Sequence, residues 1–271
     1  MVSNENVATF IKELILRLEP GQALNFKSGA YVQIDIPRYH ASFKDFHIPQ
    51  TFRSMWDRYK LWSLVAKTDE PVYRAYSMAN TPTEDLLRFT IRIATPPPGA
   101  GSDLPPGVGS SYVFSLKPGD KVVLSGPFGE FFIKETQREM CFIGGGAGMA
   151  PMRSHIFDQL SRVQTNRRVT FWYGARSRAE MIYDAEFRRL AEQFPNFTYT
   201  VALSEPLPDD RWEGPVGFIH QVAHDLYLSR HEDPSEIEYY LCGPPMMLRS
   251  VEQMLDSLGV DPEMIAYDEF G

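Results

Sequence analysis

The second half of this chain alternates short apolar segments with segments of helical spacing, and this pattern constrains the fold more than any other feature. After the first apolar segment, Met152, Ile156 and Leu160 recur at the spacing of one helix face. Repeated alternation of this kind predicts a parallel β-sheet with helices on both faces, because each helix returns the chain to the start of the next strand. The predicted strands cover 140–143, 169–173, 197–203, 237–242 and 265–270.

The first half shows the shorter period of β-strands. Residues 30–37 and 86–94 alternate apolar and polar side chains, and 120–124 forms a third apolar segment after a Pro-Gly turn. Residues 7–18 fit both a helical and an alternating period, and we interpret them as strand because a Pro-Gly pair ends the segment. Short strands with such punctuation predict a small β-barrel or sandwich.

The chain therefore divides into two predicted domains, 1–134 and 135–271. Its 271 residues suffice for about two domains at ~100–200 residues each. The first part holds 15 Lys and Arg against 13 Asp and Glu, a net charge of +2. The second holds 12 against 22, a net charge of -10, and contains no lysine. This change in charge supports a boundary near Lys134.

Composition and charge exclude several classes of protein. A net charge of -8 argues against a nucleic-acid-binding protein, which would need a basic surface. No apolar run approaches the ~18–20 residues of a membrane span, and the N-terminus lacks the basic and apolar regions of a secretion signal. The 2 cysteines, Cys141 and Cys242, are too few for a four-thiolate metal site or a cysteine-ligated iron–sulfur cluster. We therefore predict no metal site in this chain and a reducing compartment.

Residues 38–71 fit neither period and form a long insertion between two predicted strands. The segment is rich in aromatic residues, which argues for an ordered structure. Two interpretations remain open: a flap that covers its own domain, or a docking surface for a partner.

A glycine cluster, G-G-G-A-G-M-A-P at 144–151, lies between the first predicted strand and the first predicted helix of the second half. Glycine lets the backbone approach an anion closely, and a helix start offers free N–H groups and the positive end of its dipole. The form G-x-G-x-x-P departs from the G-x-G-x-x-G of ordinary dehydrogenases, and proline is well tolerated in a first helical turn. The pattern predicts a phosphate-binding loop, with a merely tight turn as the alternative.

A second glycine-containing turn, C-G-P-P-M at 242–246, also follows a predicted strand and precedes a predicted helix. Ligands bind at the carboxyl ends of the strands in open α/β sheets, so both turns are expected at the same edge. Cys242 is either a small buried side chain or a functional thiol, whereas Cys141 is expected to be structural within its strand.

Two further motifs lie in the first half. In R-A-Y-S at 74–77, Arg74 and Tyr76 share one face of a predicted strand, with Ser77 on the other. An arginine fork suits a pyrophosphate, and a tyrosine suits a flat ring system. In G-V-G-S-S-Y at 107–112, small and hydroxyl residues form a candidate second anion site. Taken singly, each motif is equally compatible with an ordinary strand or loop.

The four motifs, in this order, resemble the ferredoxin–NADP reductase superfamily over nearly the whole chain. The resemblance implies an N-terminal antiparallel β-barrel that binds a flavin and a C-terminal α/β domain, with a parallel sheet, that binds a nicotinamide nucleotide. Within the superfamily the chain is similar to the F subunits of bacterial sodium-translocating NADH:quinone reductases. The shared features are the aromatic insertion, Y-S-M-A-N at 76–80, G-A-R-S at 174–177, C-G-P-P-M-M at 242–247 and the terminal Y-D-E-F-G.

This closer resemblance implies an NADH dehydrogenase module in which hydride passes from NADH to FAD. Electrons are then expected to pass singly to a plant-type [2Fe–2S] domain in the same polypeptide. We expect that domain to be missing here, together with a membrane helix. The implied partners are that domain and the other subunits of a sodium-transporting ubiquinone reductase at the cytoplasmic side of the bacterial inner membrane. NADH over NADPH rests on the subfamily, since Arg176 and Arg178 could equally take a 2′-phosphate.

The resemblance also implies how the first half holds FAD. Arg74 pairs with a phosphate, Tyr76 packs on the isoalloxazine ring, and Ser77 lies near N5, the atom that accepts the hydride. Phe270 covers the ring face opposite Tyr76, with a plain hydrophobic anchor as its alternative, and would have to move for NADH to enter. The remaining residues assigned to the flavin are Asn80, Gly109, Ser110 and Ser111.

NADH is implied to bind along the carboxyl edge of the parallel sheet. Cys242 positions the nicotinamide near C4 and is not a nucleophile, and Glu269 acts on the charge at the flavin as hydride arrives. The residues assigned to the nucleotide are Gly144, Gly146, Gly148, Met149, Pro151, Arg176, Gly243 and Pro244.

Two alternatives remain open. A stand-alone NAD(P)H-dependent flavin or oxygenase reductase shares every motif and differs only in its partner. A non-catalytic nucleotide-binding or assembly module would have degenerate sites, whereas R-x-Y-S and C-G-P are intact here.

Overall fold

The computed structural model describes residues 1–97 and 104–269, with the side chain of Glu269 left out of the description. The chain forms two compact units, Met1–Gly129 and Glu130–Gly271. Each unit contains one of the two kinds of secondary structure pattern that the sequence predicts.

The first unit is built from antiparallel strands. They form two three-stranded sheets, in the orders β1-β2-β7 and β6-β3-β8, and the two-stranded sheet β4-β5. The strands are β1 Ser3–Ala8, β2 Ile11–Leu16, β3 Tyr31–Ile36, β4 Tyr39–Ser42, β5 Val65–Thr68, β6 Val72–Ser77, β7 Leu87–Arg92 and β8 Leu124–Phe128, and the helices are α1 Gln50–Arg58 and α2 Val108–Ser115. The predicted antiparallel fold of this half is confirmed.

Two predicted strands of this unit differ from the observed ones. Residues 7–18 contain a turn at Thr9 and Phe10, so they contribute to the hairpin β1–β2 rather than to one strand. The strand predicted at 120–124 is wrong, because β8 begins only at Leu124. The apolar pair at 122–123 suggested an earlier start, but Val123 is 63% exposed and does not contribute to the core.

The insertion at 38–71 is ordered and contains β4, α1 and β5. Its aromatic side chains pack on the first unit in a cluster that we call the insertion core. The ring of Trp56 lies 6.1 Å from that of Phe114 in α2, and its indole N–H donates to the carbonyl of Thr9 at 2.9 Å. The insertion therefore covers its own unit. The buried members of the insertion core are Phe10, Phe43, Phe46, Ile48, Trp56, Leu61, Ala66, Ile93 and Phe114.

The second unit contains a five-stranded sheet in the order β11-β10-β9-β12-β13. All neighbouring strands in it are parallel, as predicted. The strands are β9 Met140–Gly145, β10 Val169–Ala175, β11 Phe197–Leu203, β12 Glu238–Gly243 and β13 Ile265–Glu269, and the helices are α3 Met149–Phe157, α4 Asp184–Gln193, α5 Ile219–Leu226 and α6 Pro245–Ser257.

Neighbouring residues of one strand point to opposite sides of the sheet. Apolar side chains therefore lie on both faces, and helices cover both. Trp172 belongs to the core cluster that includes buried residues of α5 and α6. Its neighbour Phe171 instead packs on Phe187 of α4, with ring centroids 4.9 Å apart. The central strands β9, β10 and β12 are therefore buried on both sides, which explains their largely apolar sequences.

Candidate functional site

The strand order of the parallel sheet reverses between β9 and β12, and both glycine-containing turns follow these two strands. Gly144 of β9 is the register partner of Cys242 in β12. Crevices at such a reversal, outside the carboxyl ends of the strands, are where open α/β sheets bind ligands. The structure thus brings the two predicted nucleotide motifs together.

The glycines of the first turn serve different purposes. Gly146 has φ +57° and open space around its missing side chain, so its conformation, rather than a neighbour, requires glycine. A Cβ on Gly148 would lie 2.3 Å from the carbonyl oxygen of Cys242, so the second turn itself excludes any side chain there. The turn after β9 is therefore held closely against the turn after β12 and stays open at Gly146.

The start of α3 suits a phosphate. The described residues provide no side-chain hydrogen bond to cap it, and Gly148 occupies the capping position. The first N–H groups of a helix have no partners within the helix, and they carry the positive end of its dipole. The N–H of Met149 bonds to the carbonyls of Gly146 and Ala147, and proline at 151 has no N–H, so both buried residues shape the turn rather than donate to an anion.

Cys242 is fully buried. Burial, and then the nearby carboxylate of Asp268, raise the pKa of its thiol well above the ordinary value. The side chain is therefore a neutral thiol near pH 7, as expected for a residue that is not a nucleophile, and its assignment to the nicotinamide stays a prediction. Cys141 is buried inside β9, and burial raises the pKa of its thiol to about 12.

Arg176 directly follows β10, beside the glycine turn, because β10 pairs with β9 up to Gly174 and Gly145. Its guanidinium lies 3.5 Å from the carboxylate of Glu180. Sequence reasoning missed Glu180, although an acidic residue four positions after Arg176 was a visible signal for pairing.

In the first unit, Arg74 and Tyr76 converge on the first turn of α2. A Cβ on Gly109 would lie 2.6 Å from the hydroxyl of Tyr76 and 2.7 Å from Cγ of Arg74. Glycine is therefore required at this position by the two side chains of the R-x-Y-S strand. The motifs at 74–77 and 107–112 are distant in the sequence but lie together in the fold.

The hydroxyl groups at the start of α2 differ in their surroundings. Ser110 Oγ accepts from the N–H of Ala94 at 3.0 Å, so it ties the helix to the chain after β7. Ser111 Oγ is buried within hydrogen-bonding reach of the hydroxyl of Tyr39. A buried hydroxyl beside the N-terminus of a helix and an arginine fits a bound pyrophosphate.

Sequence reasoning also missed Tyr39, which lies in the insertion. Its hydroxyl donates to the carbonyl of Val108 in the first turn of α2 at 2.5 Å, and its ring lies 5.5 Å from that of Tyr112. The aromatic richness of the insertion was visible, but no spacing linked Tyr39 to the motif at 107–112.

The other residues assigned to the flavin are placed as follows. Ser77 ends β6 and is buried. Asn80 is fully buried, where its Oδ1 accepts from the N–H of Arg88 at 3.0 Å and its Nδ2 donates to the carbonyl of Thr81. These bonds fix the turn after β6, and the assignment of Asn80 to the flavin stays a prediction.

The C-terminal residues are described only in part. The backbone of Glu269 ends β13, where it is the register partner of Gly243. This brings the end of the chain to the strand that carries the C-G-P turn. Phe270 lies outside the described residues, so its predicted position over the flavin stays a prediction.

Comparison with known proteins agrees with both sites. Residues 60–133 match the model of the oxidoreductase FAD-binding domain, and residues 142–253 match that of the oxidoreductase NAD-binding domain. A flavohem-like FAD/NAD-binding domain of nitric oxide dioxygenase from Vibrio cholerae has the same fold, with a TM-score of 0.72 and 24% identity over 99% of this chain and 96% of that one. A ferredoxin NADP+ reductase from Neisseria gonorrhoeae also has a TM-score of 0.72, with 15% identity over 98% of this chain and 95% of that one.

Curated relatives are much more similar in sequence. The chain is 56% identical over 272 residues to the F subunit of the Na(+)-translocating NADH-quinone reductase of Neisseria meningitidis serogroup C / serotype 2a, an alignment that covers 100% of this chain and 67% of the relative. The protein of the same name from Klebsiella pneumoniae is 56% identical, with the same coverage.

The fold and the two motif sites define an FAD- and NAD-binding oxidoreductase of the ferredoxin reductase superfamily. Within this class, the chain belongs to the family formed by the F subunits of Na(+)-translocating NADH-quinone reductases. The predicted superfamily and subfamily are confirmed, and with them FAD as the cofactor and NADH as the nucleotide. Among the residues that the structure describes, no helix is long and apolar enough to cross a membrane.

Proposed function

We propose that this chain takes a hydride from NADH onto FAD and delivers the electrons, one at a time, to a [2Fe–2S] domain in the same polypeptide. The observation that carries this proposal is the convergence of Arg74 and Tyr76 on Gly109. A nucleotide turn at a parallel sheet would also fit an ordinary dehydrogenase, whereas this convergence adds a second site that suits a flavin.

Each unit contributes binding and orientation. Arg74 and the N–H groups at the start of α2 hold the pyrophosphate, Tyr76 supports the ring system, and Ser77 lies at N5. The bound FAD supplies the redox chemistry, since a flavin can accept a hydride and release electrons singly. The turn at 144–148 binds the phosphates of NADH.

Cys242 orients the nicotinamide as a neutral thiol. Support comes from its burial and from its raised pKa, which leave no thiolate to attack the ring.

The physiological setting is a membrane complex. The relatives' name supports an assembly that reduces a quinone and transports sodium. We propose that the other subunits of this complex and the iron–sulfur domain are the partners, and that the chain works at the cytoplasmic side of the bacterial inner membrane.

The proposed route of the electrons from FAD to the iron–sulfur domain is tested by comparing the reduction of two electron acceptors. The FAD-loaded chain, supplied with NADH, is expected to reduce ferricyanide rapidly and ubiquinone only slowly, because ferricyanide takes single electrons directly from a flavin whereas the quinone is served through the iron–sulfur domain. Ubiquinone reduction as fast as that of ferricyanide would contradict the proposed route and favour a stand-alone reductase.

A further inference from the structure

We propose that the ion pair between Arg176 and Glu180 makes this chain select NADH over NADPH. The inference rests on the proposed function, because it concerns the same nucleotide site. It assigns the choice to Glu180, a residue whose carboxylate neutralises the arginine that a 2′-phosphate would otherwise use.

The pair lies where the adenosine ribose is expected. Arg176 follows β10, the strand next to β9, and β10 stays in register with β9 up to Gly174 and Gly145. In dinucleotide-binding sheets, the residues after this second strand meet the 2′ position of the adenosine ribose, through an acid for NAD or an arginine for NADP. This chain has an arginine and an acid at this place. Their interaction therefore decides which of the two recognises the 2′ position.

The carboxylate is the less accessible partner. The Glu180 side chain is 11% exposed and the Arg176 side chain is 39% exposed, with 3.5 Å between guanidinium and carboxylate. The backbone carbonyl of Glu180 also accepts from the hydroxyl of buried Tyr173 at 3.3 Å, which fixes this short turn against the sheet. The turn that carries Glu180 is therefore fixed, and Arg176 is the more exposed side chain of the pair.

Arg178, the second arginine after β10, is also engaged. Its guanidinium lies over the ring of Trp212, 5.9 Å from the centroid. Its backbone N–H donates to the carboxylate of Asp210 at 3.0 Å. A second carboxylate thus lies beside this turn and adds to the negative charge that a 2′-phosphate would meet.

A 2′-phosphate and a 2′-hydroxyl meet these groups differently. The phosphate carries close to two negative charges and needs a cation, so it would have to draw Arg176 away from Glu180. That would leave a largely buried carboxylate without its partner, which is strongly unfavourable. A ribose hydroxyl can donate to a carboxylate and leaves the pair intact, so NADH binds without this cost.

The test compares single variants with both nucleotides. Glu180→Gln keeps the shape of the side chain and removes the negative charge beside Arg176, so we expect kcat/KM for NADPH to rise at least about tenfold. We expect kcat/KM for NADH to change less than about threefold. An unchanged value for NADPH, or a loss confined to NADH, would overturn the proposal.

Two further variants sharpen the result. Glu236→Gln removes a carboxylate from another Arg–Glu pair, with Arg138, at the amino-end edge of the same sheet, and it should leave the NADPH to NADH ratio unchanged. Glu180→Gln combined with Arg176→Ala should return the ratio close to that of the wild type, because the gain in Glu180→Gln depends on the charge of Arg176. A ratio in the double variant as high as in Glu180→Gln alone would mean that Arg176 does not receive the 2′-phosphate, contrary to the proposal.

Binding measurements separate this inference from the proposed hydride transfer. Calorimetry with 5′-AMP and adenosine 2′,5′-bisphosphate needs neither flavin reduction nor turnover. Glu180→Gln is expected to tighten binding of the bisphosphate about tenfold relative to 5′-AMP. If the chain failed to oxidise NADH while this difference appeared, the proposed function alone would be wrong. Equal effects on both ligands would contradict the role of Glu180.

Discussion

Gly146 and Gly148 are glycines for different physical reasons, although the sequence motif treats them alike. Gly146 adopts a positive φ in open space, whereas Gly148 is pressed against the carbonyl of Cys242. The glycine pattern predicted the loop because the glycines cluster between a predicted strand and a predicted helix. It could not separate these reasons, since the contact with Cys242 joins positions 94 residues apart in the sequence.

Gly109 offers a residue-scale test of the flavin site. Gly109→Ala is expected to weaken FAD binding at least about tenfold, because the new Cβ would push Tyr76 and Arg74 apart. Equilibrium titration of the flavin-free chain with FAD measures this. Ser115→Ala at the last position of α2 is the matched control and should bind FAD normally. Normal affinity of Gly109→Ala would show that the convergence is unrelated to the flavin.

His155 predicts how acid destabilises the second unit. The ring is fully buried against Phe131, Phe142 and Tyr240, beside a backbone group of Phe131. Burial lowers the pKa of His155 from 6.5 to about 4. The folded state therefore binds fewer protons than the unfolded state between these values, and stability present above pH 6.5 is lost as the pH falls towards 4.

We expect this group alone to lower the free energy of unfolding by about 2 kcal/mol between pH 7 and pH 5. Urea unfolding at both pH values measures the effect. His155→Leu should reduce the pH dependence by that amount, whereas Met152→Leu, a buried position of the same helix without a titrating group, should leave it unchanged. An identical pH dependence in His155→Leu and the wild type would contradict the assignment.

At the scale of secondary structure elements, the insertion is a brace for α2. Phe46 and Trp56 both contact Phe114 on α2, with ring centroids 6.0 and 6.1 Å apart. Tyr39 adds a hydrogen bond to the first turn of the same helix. The segment that breaks the period of the first half thus supports the element that carries Gly109 and Ser111.

If the insertion supports α2, a substitution that disrupts the insertion core should also weaken FAD binding. Trp56→Ala is expected to cost about 3–5 kcal/mol of unfolding free energy by opening a cavity. It should also weaken FAD binding, because α2 loses its support. Urea unfolding and FAD titration measure the two effects, with Arg58→Ala at an exposed position of α1 as control. Unchanged FAD affinity in a folded Trp56→Ala protein would show that α2 stands without the insertion.

The elements of the second unit were easier to predict than those of the first. The central parallel strands β9, β10 and β12 are largely buried on both faces, so each is predicted with clear ends. In the first unit, the apolar pair at 122–123 before β8 resembled a strand that is not there, and Val123 is exposed. The hairpin β1–β2 was missed because its turn at Thr9 and Phe10 has no glycine or proline to mark it.

At the scale of the whole molecule, the order of four motifs was enough to predict a flavin cofactor and a nicotinamide nucleotide. The choice between NADH and NADPH was not predictable from the residues, because the motif contains arginines that suit a phosphate. Only the structure pairs Arg176 with Glu180 and so cancels that charge. The net charge of -10 in the second half also disfavours the additional phosphate of NADPH, but it is not located at the binding site.

Anaerobic reduction of the FAD-loaded chain tests the central claim most directly. Stopped-flow absorbance follows the loss of the yellow flavin colour after mixing with NADH or with NADPH. We predict complete and rapid bleaching by NADH and much slower bleaching by NADPH at the same concentration. A chain that takes up no flavin, or one whose bound flavin stays oxidised in excess NADH, would contradict the account.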